Sequence, residues 1–223
     1  MNDSSTQLNL SILPRSTKRA FLAFSKFSSL ADGGWYLAGG TALALQAGHR
    51  QSVDLDFFHQ SADPNMQSME LFLQATQQWE TTNTDRGTLY GLFDGAKVSF
   101  IAYPFFIPEH SYRVHGAIRI LDARDIAVMK IIAISQRNRK RDFIDLYWYC
   151  KNREPLADVM RRVPQRYPGQ KHNYTHFFKS LTYFAEADQD AMPDLLFSAD
   201  WREIKKFFET ETIKASKELM HLL

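Results

Sequence analysis

The sequence predicts an α+β fold, a mixed β-sheet packed with helices and followed by an all-helical C-terminal region. Three observations carry this expectation. Short strand-like and helix-like apolar runs alternate up to about residue 120, an Asp-Gly turn joins two strand-like runs within that stretch, and beyond it the apolar recurrence is helical. The 223 residues suit one large domain or two small ones, and the change of character places a boundary between a sheet-bearing core, 1–120, and a helical domain, 121–223.

Taken in order, RSTKRAFLAFSKFSSLA places Phe21, Leu22, Phe24, Phe27 and Leu30 at roughly helical spacing, with Ser16 or Thr17 available as a cap. WYLAGG reads as a short strand cut off by glycines, and TALALQAG as a buried helix stopped by Gly48. After the turn His49-Arg50-Gln51, SVDLDFF is a second strand. Residues 63–80 look helical, with Met66, Met69, Leu73 and Trp79 on a core face. GTLYGLF and KVSFIAYPFF flank Asp94-Gly95-Ala96 and read as a hairpin, because Asp-Gly supplies the positive φ angles of a tight hairpin turn. In the second half, LDARDIAVMKIIAISQ and RDFIDLYWYCKN are helices interrupted at QRNRK. Pro155, Pro164, Pro168 and Pro193 divide further helical segments that end in the amphipathic WREIKKFFETETIKASKELMHLL.

Composition excludes more than it names. An apolar fraction of 44% is ordinary for a soluble globular core, and a formal charge of +2 makes any electrostatic site a local affair. Cys150 is the only cysteine, which excludes an internal disulfide framework and a cysteine-rich zinc site and agrees with a reducing compartment. The N-terminal residues show no basic segment followed by a long apolar one, and no apolar run reaches membrane length. A cytoplasmic protein without membrane attachment is therefore expected. No G-x-S-x-G elbow or Walker lysine is present, so serine hydrolase and P-loop chemistry drop out.

The chemistry concentrates between residues 39 and 56. Side chains two apart on a strand share a side, so Asp54 and Asp56 aim together. Two carboxylates that close repel unless a cation compensates, and hard oxygen ligands suit Mg²⁺ or Mn²⁺. A lone D-x-D is more often a solvated acidic edge. Upstream, Gly39-Gly40-Thr41 stands where a strand meets a helix, and the unpaired N–H groups and positive dipole end of a helix start seat phosphates. Alone, that triplet reads as a tight turn with Thr41 as cap. Together, an anion seat and a metal chelate on adjacent elements describe a site for a metal-bound triphosphate.

The segments YLAGGTALAL, GHRQSVDLDFF, KVSFIAYPF, DARDIAVMK and KRDFIDLYW, in that order, resemble the AbiEii/AbiGii toxin-like nucleotidyltransferases, which have the polymerase-β-type minimal nucleotidyltransferase fold. The resemblance covers residues from about 15 to about 150. It implies transfer of a nucleoside monophosphate from a nucleoside triphosphate to an acceptor hydroxyl or phosphate, with release of pyrophosphate. Several members act as toxins paired with an antitoxin, and relatives add nucleotides to tRNA ends. The implied partners are thus the triphosphate, an acceptor such as an RNA or tRNA end, a protein or a small molecule, and a cognate antitoxin.

By the same resemblance Asp54 and Asp56 hold the divalent ions, Gly39, Gly40 and Thr41 hold the phosphates, and Lys130 faces the active site as a catalytic and nucleotide-binding residue. The resemblance also sets Asp142 and Asp145 against the active site as nucleotide or acceptor contacts, and Arg50, Arg137 and Arg141 are read from their chemistry as nucleotide-phosphate or RNA-backbone contacts. Read without the resemblance, Lys130 could equally reach solvent along its apolar stem, and Asp142 is an ordinary helix-start acid. Polymerase-β-type enzymes usually carry a third carboxylate on a neighbouring strand, and here the position expected for it is Ser99, on the same strand face as Lys97 and Ile101. Serine is a poor base, so a nucleotide-binding or antitoxin-docking module without catalysis is the alternative reading. A D-x-D glycosyltransferase is a third, which the early glycine-threonine helix argues against. His49, His172 and His176 are read as structural, since no glutamate follows His172 as a zincin motif requires.

Overall fold

The computed structural model describes residues 8–219. The chain opens with a 3-10 turn at Leu10–Ile12, then helices α1 (Arg15–Phe24) and α2 (Ser28–Asp32), strand β1 (Tyr36–Ala38), helix α3 (Gly39–Ala47), strand β2 (Leu55–His59) and helix α4 (Met66–Ala75). Strands β3 (Trp79–Asp85), β4 (Thr88–Phe93), β5 (Ala96–Ala102), β6 (Arg113–His115) and β7 (Ile118–Ile120) follow. Helices α5 (Ala123–Arg137), α6 (Lys140–Asn152), α7 (Leu156–Arg161), α8 (Val163–Arg166), α9 (Tyr174–Leu181), α10 (Ala185–Gln189) and α11 (Trp201–Leu219) make up the rest. The last four residues of the predicted C-terminal helical segment lie outside the described residues, as do residues 1–7.

The α+β expectation holds: one seven-stranded sheet, ordered β3-β4-β5-β2-β1-β7-β6, mixes parallel pairs (β2 with β5, β1 with β7) with antiparallel ones. Period-two alternation sorts its faces. Leu55, Phe57, Val98 and Phe100 point to one side and are buried there, with Phe24 of α1 at ring distances of 5.3 Å from Phe57 and 4.7 Å from Phe93. Each such ring contributes roughly 1.5–3 kcal/mol by leaving water. On the opposite side Asp56, Phe58, Ser99, Ile101, Tyr90 and Leu92 face a cavity. The sheet gives way to helices after Ile120, and the apolar cluster continues from it into α5, α6, α7 and α11.

Several local expectations are corrected. The helix predicted over 63–80 stops at Ala75, because Gln77 adopts φ 58, and Trp79 opens strand β3 instead of closing a helical face. Strands β3, β6 and β7 were not expected. The first helix is not capped by Ser16 or Thr17: Pro14 is its N-cap, and the Thr17 hydroxyl donates to the Val53 carbonyl at 2.8 Å. The predicted hairpin turn is present, with Asp94 at φ 48 and Gly95 at φ 77 joining β4 to β5.

Candidate active site

The site begins at the β1–α3 junction. Gly39 starts α3 at φ 71, a conformation that strains any residue with a Cβ, and it leaves the Asp56 carboxylate 3.3 Å from where that Cβ would lie. Ala38 is the N-cap and no side chain caps the helix, so the first-turn amides are free of side-chain partners. Thr41 is not the cap. Its hydroxyl donates to the Asp54 carbonyl and bonds Ser52 Oγ at 2.7 Å, pinning the first turn of α3 to the residue before β2. That hydroxyl is therefore occupied by the chain, leaving the backbone amide of Thr41 for a ligand.

Asp54 and Asp56 line one cavity of about 780 Å³, together with Gly39, Gly40 and Thr41. Asp54 Oδ2 accepts from Arg141 at 3.2 Å, while Asp54 Oδ1 is buried with no hydrogen-bond partner. Asp56 Oδ1 accepts from Ser99 Oγ at 2.6 Å across the β2–β5 register, which sets Asp56 directly beside Ser99. Burial pushes the Asp56 carboxyl above its ordinary value. The Ser99 bond opposes that rise and the charge of Asp54 adds to it. An orphaned carboxylate oxygen next to a second carboxylate that burial makes reluctant to ionise fits a hard divalent cation such as Mg²⁺ or Mn²⁺.

Behind this wall lies a buried ionic network. Arg50 grips Asp145 with two bonds, Nε at 2.6 Å and Nη2 at 3.0 Å, and His49 Nε2 reaches the same carboxylate at 2.8 Å. Lys130 bridges Asp142 at 2.7 Å and Asp145 at 2.6 Å, and Arg137 holds Asp142 through Nε at 2.8 Å and Nη2 at 2.9 Å. Burial works against ionising both aspartates. Even so, Lys130 and Arg137 hold Asp142 below the usual carboxylate range, and Arg50 and Lys130 hold Asp145 well below it. Burial also disfavours the charged form of His49 and lowers its pKa despite the bond to Asp145.

The predicted residues thus separate into two groups. Gly39, Gly40, Thr41, Arg50, Asp54, Asp56, Lys130, Arg137 and Arg141 all line the cavity. Asp142 and Asp145 do not: both are fully buried, and their oxygens are taken by protein cations. They orient Arg50, Lys130 and Arg137 instead of presenting oxygens to the cavity. Asp94, in the hairpin turn, pairs with Arg19 at 2.6 Å and stands apart from the site. His172 and His176 each bond a backbone carbonyl, of Tyr167 and Ser135.

Sequence reading missed the apolar floor of the cavity, formed by Phe58, Tyr90, Leu92 and Ile101 with Met129 opposite on α5. The signal was there in the alternation of β4 and β5, whose register places Tyr90 beside Ser99 and Leu92 beside Lys97. A second cluster of metal-ligating type, Glu109, His110 and Asp125, lies at the start of α5, where Asp125 Oδ2 accepts two backbone N–H groups at 3.0 Å.

Comparison with known proteins agrees with this architecture. Protein aq_aa25 of Aquifex aeolicus strain VF5, itself uncharacterised, is 34% identical over 180 residues, 78% of this chain and 84% of that protein. MenT4, a nucleotidyltransferase toxin of Mycobacterium tuberculosis H37Rv, matches 91% of this chain and 86% of its own at 13% identity, with a TM-score of 0.58. A candidate nucleotidyltransferase from H. pylori matches 94% of this chain and 98% of its own at 18% identity, with a TM-score of 0.55. At these identities the two structures speak to the fold. The family model of the nucleotidyl transferase AbiEii toxin of type IV toxin–antitoxin systems matches residues 26–92 and 96–220. With that match running through both the sheet and the helices, the chain belongs to the AbiEii nucleotidyl transferase toxin family.

Proposed function

We propose that the protein is a metal-dependent nucleotidyltransferase that moves a nucleoside monophosphate from a nucleoside triphosphate to an acceptor. The acceptor is an RNA or tRNA end, a protein or a small molecule, and the toxin role of the family adds a cognate antitoxin as partner. One observation carries the reading: the buried, unpartnered Oδ1 of Asp54 shares a cavity with Asp56 and with the uncapped start of α3. Asp54 and Asp56 would hold Mg²⁺ or Mn²⁺, which supplies Lewis acidity and neutralises charge developing on the phosphates. The first-turn amides of α3 would bind phosphate oxygens and stabilise the departing pyrophosphate, helped by the positive end of the helix. Lys130, fixed by two carboxylates, adds a positive charge that does not have to be reoriented during transfer.

A second reading is favoured by Ser99. β5, AKVSFIA, has no carboxylate to take the acceptor's proton, and the Ser99 hydroxyl is committed to Asp56. A protein of this kind would bind metal and nucleotide and dock a partner without turnover. The test is incubation with labelled nucleoside triphosphates, Mg²⁺ and total RNA or cell protein. Label transfer that disappears in Asp54→Ala is the expected result, and nucleotide binding without any transfer would establish the module instead.

A further inference from the structure

Four basic side chains on the helical side of the cavity differ in what holds them. Arg50, Lys130 and Arg137 each bond Asp142 or Asp145, carboxylates that are fully buried and offer nothing to a metal ion. Arg141, in the first turn of α6, has among the described residues a single ion-pair partner, and it is Asp54. The pair is loose and wet: one bond of 3.2 Å, with the arginine side chain 49% exposed. Exposed pairs of this sort contribute roughly 0–1 kcal/mol, far less than a hard cation gains from a carboxylate.

Resting on the nucleotidyltransferase reading, we infer that Arg141, bonded to Oδ2 of Asp54, and a divalent cation entering at the free Oδ1 compete for the single negative charge of that carboxylate, so that metal loading releases Arg141 to the triphosphate. The guanidinium is the right group for the second task, because its planar fork matches phosphate oxygens and its charge survives at any working pH. Its place on the cavity wall with Gly39, Gly40 and Thr41 puts it within the same space as the proposed phosphate seat. Arg141 thereby couples the two ligands: each arrival of metal frees a phosphate clamp, and a clamped phosphate keeps the arginine away from the metal ligand. The reciprocity follows from linkage, since one competitor removed from Asp54 tightens metal binding by the factor with which metal unmasks the arginine.

The experiment is direct Mn²⁺ binding by the purified protein, followed by titration of inorganic triphosphate, which reads the phosphate seat without regard to base, at saturating Mn²⁺. Arg141→Gln is expected to bind Mn²⁺ roughly two- to five-fold more tightly than wild type and to bind triphosphate several-fold more weakly. Arg139→Gln removes the same charge from a neighbour that pairs with Asp190, and it is expected to alter neither. Unchanged or weaker Mn²⁺ binding in Arg141→Gln, or unchanged triphosphate binding, overturns the exchange. The underlying reading fails differently: Mn²⁺ binding that is indifferent to Asp54→Asn removes the metal site itself, whatever Arg141 does.

Discussion

Gly40 shows how tightly the anion seat is built against the ionic network. A Cβ there would lie inside the Arg50 guanidinium and 3.2 Å from Asp145 Oδ2. Arg50 is 4% exposed, bound along one edge of its guanidinium by Asp145 and through Nη1 by the Gln51 carbonyl at 2.9 Å, so it cannot swing aside without breaking a buried pair. Gly39 and Gly40 therefore answer to different demands, the first to a left-handed φ beside Asp56 and the second to the space the guanidinium fills. Gly40→Ala is expected to cost about 1–3 kcal/mol of stability through overpacking, read as a lower denaturant midpoint. An unchanged midpoint would mean that the Arg50–Asp145 clamp yields freely.

At the scale of elements, the register of β2 with β5 decides what chemistry the site holds, because it sets Ser99 beside Asp56 with their side chains bonded at 2.6 Å. Ser99→Asp would put a third carboxylate there. In metal-free protein the added like charge is expected to lower the melting temperature by burying repulsion, and Mn²⁺ should raise it by more than it raises the wild type. An equal Mn²⁺ response in both would show that position 99 does not share the cation. Elements were legible where the local pattern is strong. β2, β4 and β5 alternate cleanly and an Asp-Gly turn joins the last two, whereas β3 is WETTNTD, a polar and largely exposed edge strand with no apolar face to announce it. β6 and β7 are three residues each, too short for a period to show. The end of α4 was overrun because Gln77 takes the left-handed conformation that a glycine usually signals. The same holds for the site. Gly39 to Thr41 and the two aspartates are local motifs, but Arg50 and Asp145 are 95 positions apart, and their pairing is a product of the fold.

Across the whole molecule that pairing ties the turn after α3 to α5 and α6, so the site's geometry and the protein's acid stability share one set of groups. His49 is the sensitive member. Its Nε2 faces Asp145, while its Nδ1 is buried with no partner, so protonation would place a second N–H where nothing accepts it, beside Arg50 and Lys130. Its folded pKa is lowered by burial, and the unfolded chain therefore takes up this proton first, near pH 6.5. The stability that neutral His49 contributes is whole above that pH and is lost as the pH falls below it. Asp142 and Asp145, also lowered, add a later stage: their contribution is whole above about pH 4 and disappears as they protonate below it. Asp56 and Asp125 are raised and run the other way, favouring the fold as pH falls, but they are common to wild type and any His49 variant. In His49→Gln the urea midpoint at neutral pH should drop, since the ring also packs 5.3 Å from Trp148. Its fall between pH 7.5 and 5 should nevertheless be shallower than in wild type, with the loss below pH 4 unchanged. Parallel midpoint curves for the two proteins would mean that His49 titrates in the fold as it does in water, and that the network behind the active site admits its proton.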